Sequence, residues 1–479
     1  MARVSEHFVL GLAQPQLDFV DVAIETDTRV FIDPRALLLL DTDWGHECVA
    51  LLQHYFGCVL AAIKAGDKTR ATRLLAKLHE PNETHLGLSR GRPAGRALGP
   101  ELAARLQDAL AGSVAVKSGL LTDLEDTILM IDGIGSDMIS DIATNVIRGQ
   151  LVAYTQSQCR DLGIPMEAAI YPGGPFWDPE TETWRQDLVE LPRAGGPPLL
   201  LVPKCIVRLR MDYDADEYYD HYIIPYLRDE EIDAGSSLVQ VLKNGKPRVT
   251  RKDLIAKFGR GKAVNALITQ ANPKLLTSYR RTKRRHIAPA IPHTTLAELT
   301  GTEPPDLDGL LAAVLAVKPG KAGATDYHRA VEALLTPLFY PALTTPEREV
   351  KINAARKRID ITYVNAAASG FFDWLDRRYD AAHVIIECKN YGGDPANPEL
   401  DQLAGRFSPN RGRFGILVCR TIADKALFTA RCRDTADAQQ GYIVALDDED
   451  LRTLIEARKA GDPKDAFLFL RRRFNALVM

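Results

Sequence analysis

The spacing of apolar residues along the chain changes period several times, and each change predicts a different kind of element. The opening stretches HFVLGL, DFVDVAI and RVFID carry the β-branched and aromatic density of short strands. From Ala50 to Ala65 and again from Thr69 to His79, apolar positions recur at three- and four-residue intervals, the pattern of amphipathic helices. Pro100 to Leu110 resumes a helix with its proline at an early position, after a basic loop, SRGRPAGR, within 84–99. Gly and Pro crowd between Tyr171 and Pro198, which predicts irregular chain and a boundary. Beyond it, PLLLVPKCIVRLR reads as a buried strand and Asp212 to Tyr226 as an acidic helix.

The same reading divides the C-terminal part sharply. Residues 287–308 are rich in Pro and Thr and read as a linker, with a short helix from Leu307 to Val317 on its far side. DYHRAVEALLTPLF then has Tyr327, Val331, Leu334, Leu335 and Leu338 at helical spacing, with Glu332 inside the helix. In ARKRIDITYVN, Ile359, Ile361 and Tyr363 alternate with Arg358, Asp360 and Thr362, so a strand turns Asp360 away from the isoleucines. A second strand, AAHVIIECKNY, puts Glu387 and Lys389 on one face and Cys388 on the other. The resulting organisation is a mixed, helix-rich region over 1–195, a basic segment over 196–290, a linker over 291–310 and an α/β domain over 311–479.

Composition changes this picture little. Hydrophobic residues at 46% and charged residues at 26% are the globular average. No uninterrupted apolar run reaches the ~20 residues of a membrane span, and the N-terminus does not read as a signal peptide, so a cytoplasmic protein without a membrane partner is expected. The seven cysteines are odd in number, and none forms a CxxC pair, which argues against a disulfide framework and a structural zinc site.

Charge changes it more. The net charge of −3 conceals a segment, 243–286, with fourteen Lys or Arg against the single acid Asp253, ending in SYRRTKRRH. Two short helices about a glycine turn are expected there, with Arg280, Arg281, Lys283, Arg284 and Arg285 as candidate nucleic-acid contacts that release counterions from phosphates.

The chemistry concentrates in Asp360, Glu387 and Lys389. Phosphodiester hydrolysis passes through a doubly negative pentacoordinate transition state and needs a nucleophile made from water. Two carboxylates can hold a hard divalent cation, and an adjacent ammonium stabilises the developing charge. An isolated ExK is more often a surface-charged strand end. Here a strand Asp and a helix Glu precede it, and DQLAGRF, GILVCR and GYIVALDD follow as a helix and two strands.

In that order the segment over 325–450, about a quarter of the chain, resembles the PD-(D/E)XK nuclease superfamily in its restriction-endonuclease-like and Mrr-like forms. The resemblance implies a three-layer α/β/α nuclease domain behind a larger mixed α+β N-terminal region. It implies metal ligation by Asp360, Glu387 and Glu332, a catalytic Lys389, and Gln402 near the site. Mg2+ is the implied cofactor, with Mn2+ a possible substitute, and DNA, duplex more than single-stranded, the implied partner. A homodimer or higher oligomer would suit paired cuts, and a restriction-type or anti-phage role would suit the large N-terminal region. Repair, recombination or RNA processing on the same fold, or a silent nucleic-acid sensor, are the alternatives. Ile359 stands where proline is frequent, and the 27-residue step from Asp360 to Glu387 implies a helical excursion.

Four other motifs resolve to bland readings. Asp212, Asp214 and Asp216 lack the glycine and glutamate of a calcium loop. DGIGSDMISD lacks a phosphate-binding lysine, WGHEC is not HExxH because Ala50 stands at the second histidine, and GRGK lacks Walker spacing. No nucleotide cofactor is expected.

Overall fold

The computed structural model describes residues 2–87, 99–352, 356–460 and 467–479, so the SRGRPAGR segment lies outside the described residues. The fold is mixed α/β, and its largest sheet has five strands in the C-terminal part.

Four strands of that sheet fall in the stretches expected to be strands, and the fifth, Leu343–Ile352, was not expected. Leu343–Ile352 pairs antiparallel with Lys357–Asn365, which pairs antiparallel with His383–Lys389. Phe414–Cys419 and Tyr442–Leu446 then add in parallel. Ile385, Ile386, Leu417, Val418 and Val444 are buried on a sheet covered on both faces, which accounts for near-continuous apolar runs in its parallel strands. The 27-residue step is filled by the Gly370–Tyr379 helix. Phe371, Phe372 and Leu375 pack it into the core, and the Asn365 side-chain amide donates to the carbonyls of Phe372 and Ala381 at 2.9 Å each, closing the excursion.

The N-terminal part departs further from expectation. Of the three opening stretches only Phe31–Ile32 is a strand, paired with Val207–Arg208, and Val4–His7 is a short helix. PLLLVPKCIVRLR is buried from Pro198 to Arg208 and exposed at Leu209 and Arg210, and it contributes only those two residues to a ladder. Elsewhere the segment is buried but unladdered: an isolated bridge joins Pro203 to Phe19, and Lys204–Ile206 forms a 3-10 turn. The helix expected from Ala50 begins at Asp43, because Thr42 Oγ1 accepts the Gly45 N–H at 3.1 Å and caps it there. This Asp43–Lys64 helix is long and apolar enough, by length and composition, to cross a membrane, which the count of uninterrupted residues did not register. Its buried face, Cys48, Leu52, Tyr55, Phe56 and Val59, packs in the N-terminal core.

One hydrophobic cluster runs from Val4 to Leu296, across the expected boundary at 195/196, and a second runs from Leu307 to Leu477. The presumed linker is not free chain: His293–Thr300 is a helix with His293, Leu296 and Thr300 buried. Contacts between the two parts are specific. Tyr340, Val364 and Ala366, from the C-terminal sequence, belong to the first cluster. Buried Lys204 donates to the carbonyls of Pro15, at 3.1 Å, and Leu17, and stands 4.5 Å over the Tyr340 ring. Asp18 Oδ1 accepts the Thr345 N–H at 3.0 Å.

His293 makes this junction sensitive to acid. Its Nε2 faces the Pro337 carbonyl at 3.2 Å, and burial, followed by the charge of Lys204, pushes its pKa down to about 3 from an ordinary 6.5. The unfolded chain therefore binds the extra proton between those values. The stability this residue contributes is whole above pH 6.5 and falls as pH drops toward 3, with a slope approaching ~1.4 kcal/mol per unit. Melting temperatures from pH 7 to 5 should fall in the wild type, and His293→Gln should flatten part of that slope. Identical curves would assign the acid sensitivity to other groups.

Candidate functional site

Asp360 and Glu387 come together because their strands are antiparallel neighbours in the register Ile361↔Ile386, which sets the two carboxylates across one ladder position. Both are buried, Asp360 at 7% and Glu387 at 1% exposure, a cost that ionisable groups sustain only with dedicated partners. Asp360 Oδ2 accepts the Cys388 N–H at 2.9 Å, and His328 Nε2 lies 3.7 Å from the same oxygen. Glu387 Oε1 accepts from Lys389 Nζ at 2.9 Å and from Gln402 Nε2 at 2.5 Å, while Lys389 donates to Gln402 Oε1 at 2.8 Å. These three side chains close a ring of hydrogen bonds that fixes the ammonium. Glu387 Oε2 is buried and has no hydrogen-bond partner among the described residues. Burial first, then the charge of Asp360, raises the Glu387 pKa against the opposing effect of Lys389.

Glu332 is placed near this group rather than in the ring. The Ala324–Phe339 helix carries both His328 and Glu332, one turn apart, and Glu332 is paired with Arg348 at 2.8 Å. Burial raises its pKa to about 6, with Arg348 opposing and Asp161 adding. A cavity of about 770 Å³ connects them: His328, Glu332 and Asp360 line one side, and Asp18, Gln158 and Asp161 of the N-terminal part line another. His328, Arg348 and Asp161 were not anticipated from sequence. His328 carried a usable signal, since it sits four residues before Glu332 on a helix. Asp161 carried none, because its place depends on how the two parts pack.

The basic segment is divided by the fold. It forms three helices, Arg251–Phe258, Lys262–Ala271 and Lys274–Arg285, where two were expected. Arg280, expected to face nucleic acid, instead pairs with fully buried Asp126, its Nε donating to Oδ1 at 3.0 Å, and also bonds the Leu120 carbonyl at 3.0 Å. Lys283 is likewise buried, bonding Glu217 at 2.7 Å and Asp212 at 3.3 Å. An amphipathic helix of basic residues must bury one face, and here that face buries charges with partners. Arg281, Arg284 and Arg285 remain exposed. The acidic triplet is structural, with Asp214 Oδ1 accepting the Glu217 N–H at 2.7 Å to cap a helix.

Residues 10–214 match a domain of unknown function (DUF8370), a stretch that lies within the N-terminal part and stops well before Asp360. No curated protein and no solved structure matches the chain.

Proposed function

We propose that the C-terminal domain is a metal-dependent endonuclease of the PD-(D/E)XK class, acting on DNA, with Asp360 and Glu387 as metal ligands and Lys389 as the catalytic lysine. The observation that carries this reading is Glu387 Oε2. It is a buried carboxylate oxygen with no partner among the described residues, beside the Asp360 carboxylate, on a side chain whose other oxygen is already held by Lys389 and Gln402. Leaving such an atom unsatisfied is costly unless a ligand completes it. The donor set, hard carboxylate oxygens without thiolate or imidazole in the ring, suits Mg2+ or Mn2+.

A bound Mg2+ supplies positive charge at the scissile phosphate and acidifies a coordinated water. The chain's own residues do the rest. Lys389, pinned by Glu387 and Gln402, points a fixed ammonium at the charge that develops on the phosphate oxygens. Cys388 N–H holds the Asp360 carboxylate in place. His328 and Glu332 lie beside Asp360, so a proton released during attack has titratable groups nearby. The large N-terminal part fits control of when and where cleavage occurs, as in restriction-type or anti-phage defence.

Purified protein incubated with supercoiled plasmid and Mg2+ should nick or linearise it, and Asp360→Ala should reduce the rate by about 100-fold or more. Equal rates in the two proteins would remove Asp360 from the chemistry.

A further inference from the structure

A second group of ligating side chains lies in the N-terminal part, far from Asp360 in sequence and chemically unlike it. We propose that His54, Cys58 and Glu182 form a binding site for a divalent cation of the zinc class, which ties the long Asp43–Lys64 helix to the hairpin Phe176–Asp178/Thr183–Arg185. One ligating atom from each of the three lies within 4.8 Å of the others, and Cys58 Sγ is 3.9 Å from His54 Nδ1. In a tetrahedral site with metal–ligand bonds of ~2.0–2.3 Å, ligand atoms stand about 3.5 Å apart, so side-chain rotations close the remaining gap.

His54 and Cys58 are four residues apart on one helix, which stacks their side chains on a single face. The third ligand comes from the turn of the hairpin. Trp177 and Trp184 of the hairpin pack against Tyr55, with ring centroids 5.1 Å and 5.4 Å away, and Trp177 lies 6.0 Å from the His54 ring. Glu182 sits between the two strands at a φ of 53°, a left-handed conformation seldom adopted by a glutamate. Among the described residues, buried Trp177 Nε1 has no hydrogen-bond partner.

A cationic side chain lies close to the carboxylate: Arg70 pairs with Glu182. Its guanidinium offsets the glutamate charge now and would compete with an incoming ion. Thiolate and imidazole select zinc or cobalt over magnesium, and three protein ligands leave a fourth position for water. Binding displaces the Cys58 thiol proton to the buffer as the sulfur–metal bond forms. No CxxC pair marks this site, because its ligands combine a helical His-xxx-Cys turn with a glutamate more than a hundred residues away.

The test uses the full chain stripped with chelator and titrated with Co2+. One equivalent should give a near-ultraviolet thiolate-to-cobalt charge-transfer band, which Zn2+ then displaces. Cys58→Ser should abolish the band, and His54→Gln and Glu182→Gln should each weaken cobalt binding by about tenfold or more. Arg70→Gln should retain or tighten the site, and Asp360→Ala should leave it intact, separating it from any ion bound at the C-terminal carboxylates. No band in the wild type overturns the proposal, as does a band surviving in Cys58→Ser. Should Cys58→Ser fail to fold, undiminished cobalt affinity in both His54→Gln and Glu182→Gln overturns it equally.

Discussion

If the C-terminal domain cleaves DNA as proposed, Glu387→Gln is expected to abolish that cleavage while leaving the fold as stable as the wild type or more so. The substitution keeps shape and volume but removes a negative charge buried to 1% exposure beside a second carboxylate. Burial and the nearby Asp360 both disfavour the Glu387 carboxylate, as its raised pKa records. A neutral amide removes that repulsion, and its oxygen can still accept from Lys389 and Gln402. About 1 kcal/mol gained would raise the melting temperature by roughly 2–4 °C in a domain of this size. Catalysis moves the other way. The amide presents no anionic oxygen to a divalent cation, so the plasmid-cleavage rate should fall by about 100-fold or more. Opposite signs of stability and activity are the mark of a charge retained for chemistry. A Glu387→Gln protein that melts several degrees lower and cuts normally would assign the carboxylate a structural role.

The second large effect separates the two faces of the basic Lys274–Arg285 helix. Arg280→Ala should cost about 3–5 kcal/mol, because it strands the fully buried Asp126 carboxylate without its guanidinium. Asp126 also accepts the backbone N–H groups of Thr122 and Asp123, at 3.1 Å and 2.9 Å, so it cannot turn away to solvent. Reversing exposed Arg281 and Arg285 to Glu should change stability by no more than ~0.5 kcal/mol. If this surface carries phosphate contacts, the double reversal should weaken DNA binding and flatten its salt dependence. Denaturant melts paired with binding titrations at two salt concentrations read both effects. An Arg280→Ala protein as stable as the wild type would place Asp126 in solvent reach, against its burial.

The C-terminal domain was legible in the sequence to a degree the N-terminal part was not. Period-two alternation around Asp360 and around Glu387 is a local property that survives folding, because both strands are flanked by partners of their own domain. Glu387, Lys389 and Gln402 were grouped in advance, and they form one hydrogen-bonded ring. In the N-terminal part, apolar runs such as PLLLV marked burial but not strand pairing, since a buried extended segment and a laddered one share the same pattern. Charge density misled for a similar reason. Arg280 and Lys283 look identical to their exposed neighbours until Asp126, Asp212 and Glu217 are placed beside them.

By itself the sequence determined which side chains lie on one face of a strand or helix, because backbone geometry repeats every two or 3.6 residues wherever the element forms. That placed Glu387 with Lys389. Only the tertiary structure decided which faces meet. It set Asp360 against Glu387 through strand register, Asp161 against the cavity that Glu332 lines, Glu182 against Cys58, and Asp126 against Arg280. Those encounters join residues up to about 170 positions apart, and they depend on packing that no local period encodes.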